Sequence, residues 1–187
     1  MAKVNVTAKI IAYKSALYAI PLFLIGVMQV TFFSKINILG ATPDLLLGAI
    51  LVIAMLDNER VCAVCGIIAG VLYVSLGTST LPYYLIFSFL CAYIFPALSR
   101  VLFGKGYLPY LALCVIGYGV KAGFNLALIF IGGGSGLLAY LGSTVIPEFI
   151  SSMVFTSFSY IIFAPIARAL NSNKNKNSHT RKEYSAK

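Results

Sequence analysis

Long apolar runs separated by short polar breaks make up most of this chain. The runs are too long and too evenly apolar for strands, or for the half-buried helices of a soluble domain. They fall at 15–33, 43–56, 61–77, 81–103, 107–131 and 145–170. Most approach the ~20 residues that cross a hydrocarbon core about 30 Å thick. The pattern predicts an all-α, polytopic membrane protein with six transmembrane helices in one bundle at 15–170. A cytoplasmic segment, 1–14, precedes the bundle, and 171–187 forms a tail. The second run would reach only about 21 Å. A short true span is expected there, because the turn Asp57-Asn58-Glu59-Arg60 that follows would be costly at depth. Its start is well marked: Thr42 suits an N-cap, Pro43 the first helical position, and Asp44 the positive end of the helix dipole.

Composition reinforces this reading. Sixty per cent of the residues are hydrophobic, 10% are charged, and the mean hydropathy is +0.93, which leaves too little polar surface for a soluble domain. The net charge of +9 does not point to nucleic acid, since Lys and Arg sit at the chain ends and in short connections rather than on one face. Their placement instead predicts topology. With a cytoplasmic N-terminus, Lys3, Lys9, Lys14, Arg60, Arg100, Lys105, Arg168 and the tail cations lie on the inner side, and Lys35 lies outside. That asymmetry follows the positive-inside rule and returns both termini to the cytoplasm. The first run follows Lys3, Lys9 and Lys14 without a small-x-small cleavage site, and reads as an uncleaved helix. The Asn-, Lys- and Ser-rich tail predicts disorder, with its charges available to anionic lipid.

Candidate chemistry is sparse. Cys62-x-x-Cys65 has no second ligand pair at zinc-like spacing, and reads as two small apolar residues of a membrane helix. The only histidine, His179, lies in the tail, so no Ser/His/Asp set is expected. No enzyme activity, cofactor or metal site is expected. Gly132-Gly133-Gly134-Ser135-Gly136 lacks the following Lys and the preceding strand of a phosphate loop, and reads as a flexible external turn.

Lys121 is the exception, about 14 residues into the fifth run. A central lysine costs about 2.5–3.5 kcal/mol on insertion scales. It should face other helices or a wet cavity and meet an acid: Glu148 first, Asp44 second. These three are the candidate intramembrane or interface polar residues. Gly66-x-x-x-Gly70 and Gly119-x-x-x-Gly123 are candidate helix-packing pairs, as small residues at this spacing let backbones approach.

Residues 29–72 carry a family resemblance. Gln29 and Thr31 end the first run, Thr42-Pro43-Asp44 opens the second, Glu59-Arg60 forms the polar turn, and Gly66 and Gly70 follow. Together with the late Ala164-Pro165, these resemble the bacterial rod-shape-determining membrane protein MreD. That family often has an acid shortly after the third-span glycines, where this chain has Tyr73-Val74. The resemblance implies a non-enzymatic scaffold of the cell-wall elongation machinery in the bacterial inner membrane. Its implied partners are MreC, MreB and wall-synthesis enzymes. It also implies a fold similar to the substrate-binding subunits of energy-coupling-factor transporters. The alternative function is therefore vitamin uptake, with the glycine-rich loop as a lid over an internal site.

Overall fold

The computed structural model describes residues 2–33, 35, 41–76, 83–102, 106–132 and 137–185. Apolar sequence in this amount must bury its backbone polar groups internally, and helices do so within each segment. The described residues are all-helical, without strands. Helix α1 covers Ala2–Met28 and runs on as a π-helical turn, Gln29–Phe33. Helices α2 (Leu45–Leu56), α3 (Glu59–Ser75), α4 (Tyr83–Leu102) and α5 (Tyr107–Ile131) follow. The short α6 (Leu137–Tyr140) leads through a second π-helical turn, Leu141–Val145, into α7 (Ile146–Ser185).

Four stretches are long and apolar enough to cross a membrane: Ala8–Phe33, Tyr83–Val101, Tyr107–Ile131 and Leu141–Leu170. Their outward faces carry Phe23, Leu24, Tyr93, Ile94, Phe130, Val154 and Ile161, each more than half exposed. An apolar surface this continuous suits lipid rather than water. This is a multi-pass membrane protein.

Helix α2 is the axis of the bundle. Every one of its residues is buried, and it packs against α7, α4, α5, α3 and α1. Its uniform run of Leu, Ile, Val and Ala offers no polar face because it meets no solvent. Tyr18, Leu22, Tyr110, Leu113 and Phe163 close around it.

The expected start of α2 is corrected by two residues. The N-cap is Asp44, whose side chain accepts from the Leu47 amide at 3.1 Å, and the helix begins at Leu45. Gln29 explains the shift: its Oε1 accepts from the Leu45 and Leu46 amides, both at 3.1 Å. A side chain from the π-helical turn after α1 thus satisfies two of the orphan donors at the start of α2.

The two glycine pairs have different surroundings. A Cβ on Gly66 would lie 2.4 Å from Ala92 Cβ, and one on Gly70 2.7 Å from Leu85 Cα, so both sit where α3 presses on α4. A Cβ on Gly119 or Gly123 would have nothing within 4 Å among the described residues. Both face outward from α5, which corrects their expected internal packing role. Gly117, on the opposite face of α5, meets Leu51 of α2 instead. Helix α7 keeps its core contacts to Leu170, and its backbone stays helical to Ser185, where composition predicts disorder. Extending a formed helix adds one hydrogen bond per residue without a new nucleus. Of the expected flexible turn at 132–136, Gly132 closes α5, and 133–136 lie outside the described residues.

Candidate functional site

Two buried ion pairs hold the ends of α2, about 18 Å apart at 1.5 Å per residue. At the N-terminal end, Asp44 sits where the dipole favours a negative charge. Lys121 of α5 donates to Asp44 Oδ2 and, at 2.5 Å, to Glu148 Oε1 of α7. The lysine therefore meets both expected acids. Tyr73 donates to Asp44 Oδ1, the Asp44 amide donates to Ser152 Oγ at 2.8 Å, and Tyr118 donates to the Asp44 carbonyl at 2.6 Å. The Lys121 ammonium also lies 5.8 Å from the centroid of the Tyr84 ring, within cation–π range. Tyr84 in turn donates to Asn125 Oδ1 at 2.7 Å.

These groups wall a cavity of about 270 Å³, lined by Gln29, Ala41, Thr42, Asp44, Tyr73, Tyr84, Lys121, Asn125, Tyr140, Thr144 and Glu148. Both π-helical turns reach it, through Gln29 and Thr144. Such turns widen a helix by one residue and recur at functional sites. The two acids are held unequally. The Asp44 side chain is 2% exposed, whereas that of Glu148 is 23% exposed and faces the cavity. Burial, and then the Glu148 carboxylate, push the Tyr140 phenol above its ordinary value, leaving it a neutral donor at the rim.

At the other end of α2, Lys14 of α1 donates to both Asp57 oxygens, at 2.9 and 2.8 Å. Tyr18 donates to Asp57 Oδ2 at 3.2 Å, and the Asn58 amide to Oδ1 at 2.8 Å. Asp57 stands at the negative end of the α2 dipole, so the Lys14 ammonium offsets both its charge and that position. The charge pattern alone assigns Lys14 to the cytoplasmic segment and gives no sign of this pair. Forty-three residues separate the partners, and no local spacing links them.

Other polar residues read from the sequence take structural positions. Glu59 pairs with Arg100 of α4 at 2.9 Å on the exposed rim. Cys62 and Cys65 are buried thiols, and Cys62 donates to the Ile53 carbonyl at 3.3 Å. The sequence gives no sign that Tyr73, Tyr84 and Asn125 belong to the site, because each sits within an apolar run and only packing brings it to the Lys121 cavity.

An all-helical membrane protein with a polar cavity between its helices is the class that this fold and site define. The family model described as slime mold cyclic AMP receptor matches residues 78–187, more than half of the chain, and the chain belongs to that family. The match spans α4 to α7, and so includes Lys121 and Glu148 but not Asp44. No curated protein and no solved structure matches.

This finding overturns the resemblance to MreD, together with the cell-wall scaffold and the partners MreC, MreB and wall-synthesis enzymes that it implied. The alternative of vitamin uptake goes with it, as does the argument for a bacterial inner membrane. The reason lies in what the motif residues do. Gln29 and Asp44 cap α2, Glu59 pairs with Arg100, and Gly66 and Gly70 admit α4. A short apolar helix followed by a tightly packed one needs such residues in any family.

Proposed function

We propose that this protein is a receptor-type membrane protein that binds a small anionic ligand in the Lys121 cavity, without catalysis. Membership of the cyclic AMP receptor family makes cyclic AMP the first ligand to test. The observation that carries the reading is the position of Lys121: a buried ammonium at a cavity wall, with one fully buried acid and one partly exposed acid. Asp44 keeps the lysine charged and in place. Glu148 is the exchangeable partner, since its carboxylate can turn into the cavity and leave one ammonium direction to an incoming phosphate. Exchanging one anion for another avoids leaving a buried ammonium unpaired. Tyr84 and Asn125 offer hydrogen bonds and a ring face to the rest of the ligand. Asp44 and Lys121 neutralise one another, which leaves Glu148 as the uncompensated charge of the three.

In the proposed topology α2 and α3 complete a six-span bundle, and both termini face the cytoplasm, following the Lys and Arg bias. Reporter fusions at the two ends test this; signals on opposite sides would refute it.

Equilibrium binding of radiolabelled cyclic AMP to detergent-purified protein tests the function. Binding is expected, and Glu148→Gln should tighten it by removing the internal competitor for Lys121. If Glu148 instead held the ligand, the same change would weaken binding. Absence of binding, or weaker binding by Glu148→Gln, would overturn the reading.

A further inference from the structure

We infer that the opposite end of the bundle carries a site for one anionic phospholipid. A cleft of about 390 Å³ opens there between α1, the start of α3 and the end of α4. Its polar wall holds Lys14, Arg60 and Arg100 against one acid among the described residues, Glu59. Its apolar wall is Ile10, Ile11 and Val61. This inference is independent of the ligand proposed for the Lys121 cavity.

The cationic groups differ in their freedom. Lys14 is committed to Asp57, and contributes field rather than a flexible arm. Arg60 is exposed and makes no ion pair among the described residues. Arg100 pairs with Glu59, but both side chains are well exposed, at 53% and 40%, so water weakens that pair. Two guanidinium groups can therefore converge on one phosphate, with the planar fork that suits bidentate contact.

The apolar wall selects the source of that phosphate. Ile10 is 46% exposed, and it continues into the lipid-facing row of α1 that includes Tyr13 and Ile20. A soluble phosphate has no use for this surface, whereas an acyl chain buries it. A headgroup on the arginines and a chain along α1 satisfy both walls.

The test is lipid retention by the full chain, purified from mixed phosphatidylcholine and phosphatidylserine micelles and read by native mass spectrometry. One phosphatidylserine should be retained in preference to phosphatidylcholine. Arg60→Gln with Arg100→Gln should lower that preference roughly 30-fold, as expected for two cationic residues at an anionic surface. Glu59→Gln should raise it. Lys174→Gln with Lys176→Gln, in the tail, should leave it unchanged, which separates a site from general attraction. Circular dichroism checks that each variant is folded. Equal retention by the arginine variant, an equal loss in the tail variant, or complete displacement by inorganic phosphate would overturn the inference.

Discussion

Replacing Lys121 with Met tests whether the intramembrane cluster holds the bundle together. The substitution keeps the length and apolar stem of the side chain but removes the cation between Asp44 and Glu148. Breaking a buried pair by removing one partner costs about 3–5 kcal/mol, because the remaining charge is left uncompensated. The structure favours the lower end of that range. Asp44 would keep the Tyr73 hydroxyl and the Leu47 amide, and Glu148 could turn towards the cavity it already faces. A loss of about 3 kcal/mol should lower the melting temperature by roughly 6–12 °C at this chain length. The protein has no Trp, so far-ultraviolet circular dichroism in mild detergent is the suitable assay. A triple variant, Asp44→Asn, Lys121→Met and Glu148→Gln, removes all three charges and should recover most of the loss. If Lys121→Met melts within about 2 °C of the parent, or the triple variant is no more stable than the single one, the electrostatic account fails.

Other substitutions separate packing from exposure. Gly66→Ala should destabilise by about 1–3 kcal/mol, since its Cβ would strike Ala92 Cβ at 2.4 Å and the Ser88 carbonyl oxygen at 2.9 Å; equal melting with the parent would refute the α3–α4 contact. Gly119→Ala, with open space around it, should be neutral or stabilising by up to about 1 kcal/mol through helix propensity, as the same melts would show. Lys14→Met should destabilise by about 3–5 kcal/mol, because Asp57 would remain buried at the negative end of α2, and adding Asp57→Asn should restore part of that. Ser15 Oγ is buried without a hydrogen-bond partner among the described residues, so Ser15→Ala should be neutral or slightly stabilising; a loss above about 1 kcal/mol would reveal a partner.

The site and the misleading resemblance came from the same residues. Thr42-Pro43-Asp44 and Gln29 form a motif in sequence, yet their positions reflect a local requirement. The first amides of α2 are buried and must be capped, and Asp44 and Gln29 cap them. Short motifs that solve a structural problem are shared by unrelated chains, so they carry little family information. The family match at 78–187 lies beyond these capping residues.

The amino-acid pattern alone determined that this is an all-helical membrane protein, and that Lys121 must find an acid. Both follow from the cost of exposing polar groups to hydrocarbon, which depends on composition and depth rather than on the identity of neighbours. It also picked out both acids, since few exist in the apolar runs. Only tertiary structure decided that Lys121 holds Asp44 and Glu148 together, that α2 lies at the centre with a buried ion pair at each end, and that Gly66 packs while Gly119 does not. Each depends on which face of one helix meets which face of another. The apolar positions of these helices run nearly all the way round, and lipid is as apolar as a neighbouring helix, so hydrophobicity cannot choose the face. Side-chain size and hydrogen bonding between distant segments make that choice, and they act only once the helices have packed.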